Sequence, residues 1–403
     1  MRRIYLDNAA ATYLEDHAEK SMTPFFKSFF GNASSIYEEG RIVRTAIENT
    51  RKKIAKIINA LPEEIIFTSG GTEGNNLAIG GAVGNHFKKA GGHIIASKIE
   101  HPSVLNVVKE LEKKGVQTTY LNVDRLGVVN LEELKNSLRK DTILVSIIFA
   151  NHEIGTIQPI AEISKIIREF NEKNQTNVLF HIDACQAGNY LDLDVKKLGV
   201  DLMTINGSKL YGPKGTGFLF ARKGVKISPL FFGGEQEKKI RPGTENVAGI
   251  IGLGAALELA QKIRQKESKR LIALRDYFIK EVLKRIPGTV LNGHSDMRLP
   301  NNINISIYGI EGEAAVLYLD SQGIACATGS ACTSARLEPS HVITAIGLPY
   351  EFSHGSLRFT LGRKTTKKDL NYVLEKLEET VKILREISAV KLEKSKYEKA
   401  IKK

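Results

Sequence analysis

The chain has 403 residues, 42% of them apolar, and a formal charge of +13, which suits a folded protein of two domains with a sizeable core. The first twenty residues carry Asp7, Glu15, Asp16 and Glu19 without an apolar run, and no window is long enough to cross a bilayer, so a cytoplasmic protein with no membrane partner is expected. Three cysteines, Cys185, Cys326 and Cys332, with no C-x-x-C pair, argue against a disulfide framework and against a zinc site, and the basic residues are too scattered for direct nucleic-acid binding to be expected.

In chain order, residues 60–222 alternate apolar β-rich runs with helical patterns. The runs are 65–68, 93–97, 117–123, 142–150, 178–183, 201–206 and 217–222, with helical stretches such as 102–114, 130–140 and 159–170 between them. Continuous apolar strands separated by helices predict a seven-stranded, mainly parallel sheet covered on both faces. A helical pattern from about 246 to 286 closes at Pro287-Gly288. Beyond it, NINISIY at 302–308 and SLRFTL at 356–361 alternate with period two, which predicts an antiparallel sheet with one wet face. Leu370, Val373, Leu374, Leu377, Val381 and Leu384 share a helical face that should pack on that sheet. The expected division is a large α/β domain over 15–260 and a smaller α+β domain from 1–14 and 261–403. The tail 391–403, with six Lys and two Glu, reads as a solvated, frayed helix end.

Ligands of open α/β sheets bind outside the carboxyl ends of the strands. There the chain places SGGTEGN (69–75) opening a helix, then His101, then Asn151 with His152 and Glu153, then Asp183 with Gln186 close behind, then Asn206 with Ser208 and Lys209. Each has a plainer reading. Gly70-Gly71-Thr72 could be a turn and N-cap, His101 a hydrogen-bonded surface ring, Asn151 a turn cap, and Lys209 a loop lysine with Lys214 as competitor. Asp183 is harder to dismiss, because a carboxylate ending an apolar strand needs a partner. Together they fit one chemistry: a lysine for a Schiff base, a carboxylate for a pyridine nitrogen, a helix N-terminus for a phosphate and an imidazole over the ring. That describes a pyridoxal 5'-phosphate site.

The stretch ATGSACTSA at 327–335 contains only small side chains around Cys332. Packing and reach are both open as explanations of such a thiol. YLDNAAAT (5–12), TSGGTEGNN (68–76), IEHP (99–102), ANHEIG (150–155), HIDACQ (181–186), YGPKG (211–215), RPGTEN (241–246), GSACTS (329–334) and SLRFTLG (356–362) follow one another along the chain. With these motifs in this order the chain resembles a cysteine desulfurase, of the class V aminotransferase group within the fold-type I (aspartate-aminotransferase-like) pyridoxal-phosphate enzymes.

The resemblance implies that L-cysteine becomes L-alanine and that its sulfur travels as a persulfide on Cys332, in a loop at about 325–337, to an acceptor protein for iron–sulfur assembly or tRNA thiolation. It implies that Lys209 carries the cofactor and moves the Cα proton, Asp183 pairs with the ring nitrogen, Gln186 meets the ring hydroxyl and His101 stacks and shuttles protons. Gly71, Thr72, Asn206 and Ser208 would hold the phosphate, with Thr244 arriving from the partner in a homodimer. Asn151, which would also contact the cofactor, and Arg358 would bind the substrate carboxylate, an arginine fork being suited to it. Cys185 and Cys326 are expected to be packing residues. One departure stands out: Ser208 occupies the place where the family has a histidine before the lysine, so weaker cofactor retention is expected. Rival readings are selenocysteine lyase or cysteine-sulfinate desulfinase on the same fold, and a catalytically impaired relative that acts as a binding partner.

Overall fold

The computed structural model describes residues 3–84, 91–329 and 340–388. Cys332, most of its loop and the tail 391–403 lie outside the described residues. The strands in chain order are β1 (Ile4–Tyr5), β2 (Ile65–Thr68), β3 (His93–Ser97), β4 (Gln117–Leu121), β5 (Thr142–Ile148), β6 (Leu179–Asp183), β7 (Leu202–Asn206), β8 (Gly217–Ala221), β9 (Thr289–Leu291), β10 (Asn302–Ile307), β11 (Ile324–Ala325) and β12 (Ser356–Thr360). All seven runs expected between 60 and 222 are the seven strands of one sheet, ordered β2-β8-β7-β6-β5-β3-β4. Every pair from β7 through β4 is parallel, and β8 runs antiparallel to both its neighbours. The interior strand β5 is buried at every position, as continuous apolar runs under helices require. Edge strand β4, QTTYL, is partly exposed.

The second sheet is antiparallel, ordered β12-β10-β9, while β1 and β11 pair in parallel beside it. Here the expected wet face is corrected: β10 and β12 are buried at every position. The polar face of β10 packs on the segment after β5, where Asn302 and Asn304 donate to the Glu153 carbonyl at 2.9 and 3.2 Å. Asn292 completes that layer with bonds to Asn304 Oδ1 (2.7 Å) and Ser306 Oγ (2.8 Å). Alternation therefore marks a polar face, and hydrogen bonding rather than water satisfies it. Arg358 stands on this face, opposite Asn304.

Helix Lys367–Ile387 buries all six of the expected apolar residues and starts with a capping box between Thr366 and Asp369. Helix Val247–Arg285 spans two cores. Its first half gives Ile250, Leu253 and Leu257 to the core beneath the large sheet, and its second half gives Leu271, Phe278 and Val282 to the core around β10 and β12.

Candidate active site

The carboxyl ends of the parallel strands and the N-terminal segment enclose a cavity of about 210 Å³. Its walls include Gly71, Thr72, His101, Asp183, Gln186, Asn206, Lys209 and Arg358, so eight of the expected residues meet there. Local sequence explains their placement. Gly70 has φ +147°, a conformation open to glycine, and helix Gly71–Gly84 starts at the end of β2. A Cβ on Gly71 would lie 2.6 Å from Cys185 Sγ and 3.5 Å from Asn206 Nδ2, so only glycine leaves this corner open to a ligand. Pro102 restricts the residue before it to extended geometry and starts a helix well. His101 is accordingly an N-cap, its Nδ1 accepting from Ser103 N at 3.1 Å.

Asp183 ends β6 and is buried. Asn75 Nδ2 donates to Oδ2 at 2.8 Å, and Cys185 N donates to Oδ1 at 3.0 Å. Burial would raise this carboxyl, but the His101 ring and these donors outweigh it and hold it below the usual carboxylate range. Burial, with His152 beside it, pushes His101 down to about 4. Burial next to Asp183 raises the Cys185 thiol well above its ordinary value, and burial near Asp7 raises Cys326 to about 12. Both thiols are therefore kept protonated, as packing residues would be.

Lys209 follows β7 on the short turn Gly207–Lys209, which Asn206 caps through Ser208 N. Its Nζ donates to the Ala10 carbonyl, and Gln186 Nε2 donates to the Ala9 carbonyl at 3.0 Å. The N-terminal segment is thus a cavity wall. Arg358 is 2% exposed. It pairs with Asp7 at 2.8 Å and donates from Nη1 to the His152 carbonyl at 3.0 Å.

Three expected residues do not line the cavity. Asn151 is fully buried, its amide donating to Ile99 O and accepting from Glu153 N and Ile154 N. Ser208 Oγ donates to Asn206 Oδ1 at 3.1 Å. Thr244 is exposed on the surface. Conversely, Asn75, Ser103 and His152 line the cavity without having been assigned a role from the sequence, and Cys185, expected only to pack, lines it too. Asn75 lies inside TSGGTEGNN and His152 inside ANHEIG, so position within a motif was the available signal.

Residues 4–373 match the family described as Aminotransferase class-V. A relative from Dictyoglomus turgidum, named cysteine desulfurase IscS, is 55% identical over 97% of this chain and 98% of its own. One of the same name from Methanosarcina thermophila is 50% identical over 96% of this chain and 94% of its own. A solved structure described as a NifS-like protein superposes with a TM-score of 0.88 at 34% identity, covering 95% of this chain and all of the other. With the cavity's lysine, buried carboxylate and imidazole at the strand ends, the chain belongs to the class-V aminotransferase family and, within it, to the cysteine desulfurases.

Proposed function

We infer that this cavity binds pyridoxal 5'-phosphate and L-cysteine and that the chain is a cysteine desulfurase, releasing L-alanine and passing the sulfur on. The observation that carries this is the convergence of Lys209, Asp183 and His101 on one cavity beside the open corner at Gly71. The donor set fits the cofactor: one primary amine, one buried carboxylate held ionised, and a helix N-terminus with the Asn206 amide for a phosphate. When bound, the cofactor supplies an electron sink that makes the bonds at the substrate's Cα and Cβ breakable.

The chain's own groups do the rest. Lys209 Nζ would hold the cofactor aldehyde and afterwards take the Cα proton. Asp183, oriented by Asn75 and Cys185 N, would keep a proton on the ring nitrogen. His101, kept neutral, would lie on the ring face and exchange protons. Arg358 would offer its guanidinium to the substrate carboxylate, with Asp7 holding the fork in place. Cys332, as thiolate, would accept the substrate sulfur and give it to an iron–sulfur scaffold or a tRNA-thiolation protein.

A homodimer completes the site by bringing Thr244 to the phosphate. Thr244 is exposed on a segment that also exposes Phe231 and Phe232, the latter at 89%, and such side chains favour a covered face. The division near residue 260 is supported by the change of core along helix Val247–Arg285. A cytoplasmic location agrees with the lack, among the described residues, of any helix long and apolar enough to cross a membrane. The names of the relatives favour desulfuration of cysteine over the lyase and impaired-member readings.

The test is incubation of the cofactor-loaded protein with L-cysteine and a reductant. Alanine and sulfide are expected in equal amounts. Normal cofactor absorbance without alanine would overturn the reading.

A further inference from the structure

His152 is 6% exposed, lines the cavity and, among the described residues, has no hydrogen-bond partner at either ring nitrogen. A buried imidazole in that state needs a reason, because uncompensated burial of such a group is costly. Its backbone is fixed by the bond from Arg358 Nη1 to its carbonyl. Its ring sits edge-on to His101 with centroids 5.0 Å apart. Its Nε2 lies 3.5 Å from Glu153 Oε1, which is ion-pairing distance without a formed hydrogen bond. Glu153 is fully buried, and its other oxygen accepts from Ser340 Oγ. Burial would raise Glu153, but the His152 ring, Ser340 and His341 hold it ionised at about 2.

We propose that His152, backed by the Glu153 carboxylate, is a second proton-handling residue of this site, which takes the thiol proton of bound L-cysteine before the sulfur is handed over. The proposal rests on the desulfurase reading above. In this step the S–H bond breaks, an N–H bond forms at Nδ1, and no electron changes owner. Nε2 faces Glu153, so Nδ1 is the ring's uncommitted atom, and the imidazolium formed is stabilised by the carboxylate. The stored proton then completes the methyl group of alanine.

His101 suits this role less well. Its Nδ1 is already committed to Ser103, and burial holds the ring down at about 4. The charged groups around His152 are Glu153 on its own segment, His101 from the next wall, Asp183 and Lys209 across the cavity, Arg358 from β12 and His341 beyond Glu153.

The discriminating experiment compares two substrates. The selenol of L-selenocysteine is already ionised at neutral pH and needs no base. His152→Asn in the holoenzyme is expected to lower kcat for L-cysteine by roughly 10²-fold and to remove the acidic limb of its pH profile. KM and cofactor absorbance should be unchanged, and turnover of L-selenocysteine should be spared. Equal loss on both substrates would overturn the proposal in favour of a packing role. A second readout needs no turnover. In cofactor-free protein carrying 13C-labelled histidine, the His152 ring signal, identified by its absence in His152→Asn, should move in Glu153→Gln relative to the parent. An unmoved signal would overturn the pairing even if the parent makes alanine, whereas a parent that makes none while the signal moves faults the desulfurase reading and leaves the pair standing.

Discussion

Two hollows lie at opposite ends of the large sheet. One, at the ends of β6 and β7 marked by Asp183 and Asn206, is the cavity of about 210 Å³. The other, beside Phe180, Asp201 and Arg222, is about twice as large at 430 Å³. In the large groove two of the carboxylates are satisfied by the chain: Asp201 pairs with Arg222 at 2.6 Å, and Glu64 accepts from Leu61 N and Lys223 N. Around the small cavity, buried atoms of Asn75, Glu100, His152, Glu153 and Arg358 lack partners among the described residues. Of these two, volume would choose the wrong one. It is the gathering of such unsatisfied groups around one cavity that marks a place built for a ligand.

The comparison breaks most sharply at Lys209. Lys209→Ala is expected to reduce alanine formation by at least ~10³-fold, since both an anchoring amine and a proton acceptor are lost. Residual turnover within tenfold of the parent would place the chemistry elsewhere. Arg358→Ala strands Asp7 and frees the His152 carbonyl. Removing one partner of a buried pair costs about 3–5 kcal/mol, so denaturant unfolding should show a loss of that size, together with a raised KM for L-cysteine.

Glu100 sharpens the contrast through pH. Burial, despite bonds from Ser97 Oγ and Ile148 N, raises it from 4.5 to about 8. A carboxyl with a raised folded-state value contributes stability that is full below its unfolded value and is lost as pH rises through the folded one. Thermal stability should therefore decline between pH 5 and about 8, and Glu100→Gln should flatten that decline. A parent curve with no decline over this window would contradict the assignment. A smaller effect is expected at Ser208, whose hydroxyl is turned toward Asn206. Ser208→His should slow cofactor loss on dialysis by about 10-fold, the scale of one hydrogen bond to a charged group. At the far groove, Arg168→Ala should change stability by less than ~0.5 kcal/mol and leave turnover unaltered; a loss of activity there would make the groove more than a surface feature.

Much of this was legible before the fold was known. Long apolar runs between helices announce a buried parallel sheet, and the polar residue ending each run announces the rim. Asp183 was readable because a carboxylate at the end of LFHID has no other sensible place. Asn151 was harder: a side chain that satisfies its own turn is indistinguishable in sequence from one that faces a ligand. The burial of Arg358 and Asn304 was hidden because alternation reports two faces but not what covers the polar one. His152 and Glu153 were visible in ANHEIG, yet their pairing depends on how the segment after β5 turns beneath β10.

The most direct test is a single turnover on L-cysteine followed by intact-mass and peptide analysis of the protein. The account predicts that alanine appears together with one added sulfur atom, located on Cys332, and that Cys332→Ala gains none. Sulfur found on Cys185 or Cys326, or full sulfide release by Cys332→Ala, would contradict it.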